Sequence, residues 1–169
     1  ITNTTPFCKS SHKKYYYSNV KRFLASGFGV GLFWKTYFGD KKGGGTLASF
    51  LFALITYVFN LNVLELSILF IVLVLTYLVS VDDNEANDDP SWITLDEIVG
   101  MSLVTIASPS RLLPLLAGFL VFRLSDIMKQ PKFVAELEKH PGKFGVLYDD
   151  LGAGLMGLLS ATVVNQIIN

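Results

Sequence analysis

The chain has one cysteine, Cys8, and two histidines, His12 and His140, in 169 residues. That scarcity excludes an internal disulfide framework and leaves a zinc centre short of its usual nitrogen and sulfur ligands. Charge is scarce too. Only 17% of residues are Asp, Glu, Lys or Arg, against 51% hydrophobic ones, and the mean hydropathy is +0.46. That balance is too apolar for an ordinary soluble domain. There is no internal repeat, no strand-like alternation, no Walker loop and no Cys-x5-Arg phosphatase loop. The first long apolar run comes late and no cleavage pattern follows it, so it is read as a membrane segment and not as a cleavable leader.

What remains is oxygen chemistry and a charge distribution with a clear asymmetry. Lys9, Lys13, Lys14, Lys21, Arg22, Lys35, Lys41 and Lys42 all precede the first strong apolar run, with Asp40 as the only acid among them. Without a recognition motif this basic flank does not argue for nucleic acid. Beside apolar segments it reads as a cytoplasmic flank facing anionic lipid headgroups. The acids come later, and seven of the fourteen lie between Asp82 and Gly100. Carboxylates next to a bilayer are costly unless they meet water, a cation or a partner. Their abundance points to a hard cation such as Mg²⁺.

Residues 1–19 form a polar, basic arm ending in Tyr15-Tyr16-Tyr17, and residues 20–169 a single membrane-embedded domain. Val20–Trp34 is a short apolar segment whose Gly27, Gly29 and Gly31 suit close packing or a turn better than a phosphate loop. Lys41-Lys42-Gly43-Gly44-Gly45-Thr46 precedes the run Leu47–Phe59; free N–H groups and two lysines there allow an anion cradle, and a flexible basic loop is an equal reading. Leu47–Phe59 and Leu66–Val81 pair as a helical hairpin. Ile98–Ala107 is about half a span, Ser108-Pro109-Ser110-Arg111 breaks it, and Leu112–Leu124 resumes the apolar pattern. Gln130–Gly145 is expected as a surface loop with one helical turn, and Asp149-Asp150 as the start of a last apolar helix, Leu151–Ile168, with small-residue packing positions. The expected fold is all-α, an integral membrane bundle of about four to five apolar helices with a polar site facing the cytoplasm.

The hairpins bring three clusters to one end: Asp88 and Asp89 with Asp96 and Glu97; Arg123, Asp126 and Lys129; Asp149 and Asp150. Each has a structural explanation when taken singly. Asp149-Asp150 suits a helix N-terminus, Arg123–Asp126–Lys129 an i,i+3 charge chain, and Asp96-Glu97 a first helical turn. Together they ask for a cation, and carboxylates with an arginine suit Mg²⁺ and a phosphate.

Four elements carry a resemblance. Thr46-Leu47-Ala48, Asp89-Pro90 with Asp96-Glu97-x-x-Gly100, Phe122-Arg123-Leu124-x-Asp126-x-x-Lys129-x-Pro131, and Gly145-x-x-x-Asp149-Asp150-x-x-Ala153-Gly154 resemble phosphatidylglycerophosphatase A over roughly residues 25–160. Where that family shows Pro-Gly-Thr-x-Gly, this chain has Lys41-Lys42-Gly43-Gly44-Gly45. The resemblance implies an Mg²⁺-dependent phosphatase of the bacterial inner membrane. Its active site would face the cytoplasm, and it would hydrolyse phosphatidylglycerophosphate to phosphatidylglycerol, with no obligate protein partner. It implies catalytic roles for Asp96, Glu97, Asp126 and Asp150, and metal ligation by Asp89, Asp96, Glu97, Asp149 and Asp150. Phosphate binding would fall to Arg123, Lys129, Lys42 and Thr46. The working mechanism has Asp96, Glu97 and Asp150 hold the metal while Arg123 clamps the phosphate. Two other readings compete: a small cation transporter or channel component with carboxylates along an ion path, and a membrane adaptor with an acidic docking loop. The first requires acids near mid-span, whereas these sit at the ends of apolar runs. The second leaves Arg123, Asp126, Asp149 and Asp150 unexplained.

Overall fold

A computed structural model of the chain describes residues 19–86 and 90–168, and among these there are helices and no strands. Asp88, Asp89 and the basic arm through residue 18 lie outside the described residues. The helices are α1 (Asn19–Ala25), α2 (Val30–Phe38), α3 (Gly44–Val58), α4 (Val63–Ser80), α5 (Asp83–Ala86), α6 (Leu95–Ala107), α7 (Leu112–Met128), α8 (Lys132–Leu137) and α9 (Lys143–Ile167).

The expected segment Val20–Trp34 is two helices. Gly27, Phe28 and Gly29 all take positive φ, of 60°, 58° and 95°, which ends α1 and starts α2 at a new angle. Gly31 then lies against the backbone carbonyl of Trp92. The glycine triplet is thus a turn and a packing contact.

α3 and α4 form the first hairpin, and α4 starts with a capping box in which Asn62 and Glu65 each accept from the other's backbone N–H. α4 spans 18 residues with a mean hydropathy of 2.5, and only 22% of it is buried. Its inward stripe is Leu66, Leu73, Tyr77 and Ser80. Its outward face is Ile68, Ile71, Val72, Leu75 and Val79. At ~1.5 Å per residue it is about 27 Å long, close to the hydrocarbon thickness of a bilayer. Among the described residues, α4 and α9 are the two helices long and apolar enough to cross a membrane.

α9 is the centre of the bundle and packs chiefly on α7 and α6, while α6 also packs on α3 and α4. Small residues set these crossings. Gly154 of α9 lies against the backbone of Gly100 in α6, and Gly157 against the carbonyl of Gly118 in α7. Neither close approach leaves room for a side chain. α9 starts at Lys143, six residues before Asp149, so Asp149 and Asp150 do not cap it as the sequence suggested. Gly142, with φ 69°, is its N-cap, and Leu147 is already buried in the core. The polar stretch before it also folds further than expected, into the six-residue α8.

Candidate active site

Helix ends build the site. α6 carries Asp96 and Glu97 in its first turn. α9 carries Asp149 and Asp150 in its second turn. α7 brings Arg123 and Asp126 near its C-terminal end, and α3 brings Gly44, Gly45 and Thr46 at its start. The geometric device is the α6–α9 crossing: Asp96 stands one turn before Gly100, and Asp150 one turn before Gly154. Backbone contact at the glycines therefore draws the two acids together.

Oxygens of Asp96, Glu97 and Asp150 lie within 4.8 Å of one another. Asp96 is 3% and Asp150 4% exposed. The Glu97 backbone N–H donates to Asp96 Oδ1 at 3.1 Å. Glu97 Oε2 and Asp150 Oδ1 are buried without any hydrogen-bond partner. Like charges this close repel strongly in a shielded site, so they require a cation or shared protons. The donor set is entirely oxygen, which suits a hard divalent cation and not zinc or copper.

The start of α3 abuts this triad. Gly45 is in contact with the Glu97 carboxylate, and a Cβ there would overlap it. Ser49 Oγ donates to the Gly45 carbonyl at 2.7 Å and reaches the Glu97 carbonyl at 3.4 Å. No side chain caps α3, so its first N–H groups have no side-chain acceptor, the condition under which a helix start suits an anion. Thr46 is the third residue of this turn and half-buried, while Lys42 is exposed in the approach to it. We expect Gly45→Ala to push Glu97 aside, weakening Mn²⁺ binding at least tenfold while overpacking costs about 1–3 kcal/mol. Isothermal titration beside a thermal melt checks this. Unchanged Mn²⁺ affinity would show that Glu97 does not depend on Gly45.

Arg123 and Lys129 are set apart by their partners. Arg123 Nη1 is 3.0 Å from Asp126 Oδ2, a charge contact without hydrogen-bond alignment, since Arg123 Nε and Nη1 are both buried with no acceptor. Neither nitrogen is committed to a hydrogen bond. Lys129, by contrast, contacts Asp149 Oδ2, lies 3.4 Å from Asp126 Oδ1 and is 3.9 Å from Glu138 Oε1. Burial by itself lowers the Lys129 pKa, but the Asp149 hydrogen bond and the charges of Asp126, Asp149 and Asp150 outweigh it. The net shift is upward, and the group stays an ammonium through any working pH. Asp149 Oδ1 is buried without a partner.

Of the residues anticipated from the sequence, the structure gathers Asp96, Glu97 and Asp150 into one cluster. It places Arg123, Asp126, Lys129 and Asp149 in an adjoining charge chain, and Thr46 at the helix start against Glu97. Lys42 stays outside this group. Ser49 and Glu138 were not anticipated. Gly45 was read as part of an anion cradle or a flexible loop and not as the seat of Glu97, and nothing in the order of residues signals the reach of Glu138 to Lys129.

A buried oxygen cluster beside an arginine with open donors, at one end of an apolar helical bundle, defines a class of site suited to phosphate and a hard cation. The chain belongs to the phosphatidylglycerophosphatase A family, which it matches over residues 23–165. It is also similar to a Bacteroides thetaiotaomicron protein named "Putative phosphatidylinositol-3-phosphatase", with 27% identity over 152 residues, covering 86% of this chain and 93% of that protein. No solved structure matches the chain.

Proposed function

We propose that the protein is a membrane-embedded lipid phosphatase that hydrolyses the terminal phosphomonoester of phosphatidylglycerophosphate to phosphatidylglycerol and inorganic phosphate, with Mg²⁺ as cofactor. The observation that carries this is the Asp96–Glu97–Asp150 cluster, with two oxygens buried and unpartnered, in a chain of a phosphatase family. Asp96, Glu97 and Asp150 would hold the ion. When bound, it offsets the charge of the phosphate and makes water a better nucleophile.

The chain's own groups do the rest. Arg123 directs its Nε and Nη1 to the non-bridging phosphate oxygens, with a planar fork suited to them. The open N–H groups at the start of α3 receive another oxygen. A carboxylate of the cluster takes the proton of the attacking water. As the water oxygen bonds to phosphorus, the phosphorus–oxygen bond to the glycerol breaks, and the same carboxyl group gives that proton to the leaving alcohol oxygen. Asp126, between Arg123 and Lys129, holds the arginine in place.

The outward apolar faces of α4 and α9 support a membrane setting, in which the diacyl tail lies against the bundle with its headgroup at the helix ends. Lys41 and Lys42 lead into the same end of α3 that meets Glu97, and by the positive-inside rule they support a site on the cytoplasmic face of a bacterial inner membrane. The test is phosphate release from phosphatidylglycerophosphate in detergent micelles, with Mg²⁺ or with EDTA. Phosphatidylinositol 3-phosphate and glycerol phosphate serve as rival substrates. Mg²⁺-dependent release, fastest from phosphatidylglycerophosphate, is expected. Faster release from the inositol lipid would transfer the assignment to that headgroup, and no release from either would refute a phosphatase.

A further inference from the structure

We propose that the Lys129 ammonium is a built-in cation that occupies, among Asp126, Asp149 and Glu138, the place a second metal ion would take, so that the site binds one divalent cation and not two. The inference rests on the metal reading above and sharpens it. Lys129 and Arg123 both stand in the sequence as phosphate binders, but their surroundings differ. An ammonium has three donors and no acceptor, and three carboxylates face Lys129: Asp149 in direct contact, Asp126 at 3.4 Å and Glu138 at 3.9 Å. Asp149 and Asp126 take two of its donors, and Glu138 faces the third by charge alone, so the ammonium is directed at carboxylates and not at a phosphate oxygen. Arg123 keeps two buried donors without an acceptor.

Without the ammonium, Asp126, Asp149 and Glu138 are an all-oxygen set of the kind that holds Mg²⁺ or Mn²⁺. Asp149 Oδ1 is buried and has no partner, which leaves a ligand atom ready there. Asp149 also adjoins Asp150 of the triad, so two cation positions would share one turn of α9. That arrangement resembles a two-metal site with one metal replaced by a lysine. A fixed monovalent charge holds Asp126 and Asp149 in place and leaves the other position for the exchangeable ion. Lys129 is in this sense a positioning residue.

The test is Mn²⁺ stoichiometry on the full chain purified in detergent, by equilibrium dialysis with elemental analysis and by electron paramagnetic resonance. One Mn²⁺ per chain with an uncoupled spectrum is expected for the wild type and for Lys129→Arg. Lys129→Ala and Lys129→Gln should each bind two, with spin coupling, and adding Asp149→Asn should return the count to one. Two ions in the wild type would overturn the proposal. One ion in both neutral variants, with helical circular dichroism preserved, would also overturn it. No ion in the wild type would instead remove the metal reading itself and this inference with it, so the two failures are distinct.

Discussion

Asp150→Asn is expected to lower phosphate release by more than about 100-fold, because even outer-shell partners of a metal site are worth roughly 10–100-fold and this carboxylate is in the ligand cluster. The substitution keeps size and shape and removes one negative charge. Its effect on stability should run the other way. In EDTA, Asp96, Glu97 and Asp150 are three carboxylates within 4.8 Å, and neutralising one relieves their repulsion. The variant should therefore melt at or above the wild-type temperature without metal, and lose most of the rise in melting temperature expected of the wild type in Mg²⁺. Asp96→Asn should behave alike. An aspartate with a purely structural role would give the reverse pattern, a lower melting temperature in EDTA with turnover kept, and that result would take Asp150 out of the site.

The two acids meet because of a spacing that the sequence itself carries. Asp96-x-x-x-Gly100 and Asp150-x-x-x-Gly154 have the same spacing, an acid one helical turn ahead of a glycine. Glycine pairs allow backbones to touch, so matching spacings on two helices bring matching acids together. Where the apolar runs were long, the helices were legible as well; α3, α4, α6 and α7 lie close to the segments read for them.

Other features were not legible, for physical reasons. The start of α9 was hidden by Lys143-Phe144-Gly145, which reads as loop, and by the preference of Asp149-Asp150 for a helix N-terminus. Burial of Leu147 and the close seat of Gly145 on the His140 carbonyl carry the helix through. The glycines at 27, 29 and 31 were legible as a turn or a packing contact, but their apolar neighbours hid that the segment divides into two helices. The role of Lys129 was hidden more deeply. It caps α7 in the left-handed conformation, with φ 51° and ψ 46°. Its partners Glu138 and Asp149 come from two other segments, a contact that motif spacing does not encode.

Arg123→Lys is the second large effect. The arginine is only 9% exposed and sits over the Phe122 ring at 5.3 Å, so the site holds a flat, delocalised cation. Lysine keeps the positive charge opposite Asp126, which avoids leaving a buried carboxylate uncompensated, a loss of about 3–5 kcal/mol when one partner of a buried pair is deleted. Folding and Mn²⁺ affinity should then stay within twofold of wild type. What disappears is the pair of directed donors at Nε and Nη1, which a point charge cannot reproduce. Removing one preorganised donor from a developing negative charge lowers turnover on the order of 10²–10³-fold, and a loss near 100-fold is expected here. The split between activity and metal binding is the informative readout. Lost turnover with intact Mn²⁺ binding places Arg123 on the phosphate. Lost turnover with lost Mn²⁺ binding makes it a support for the carboxylates, and near-normal turnover refutes the clamp.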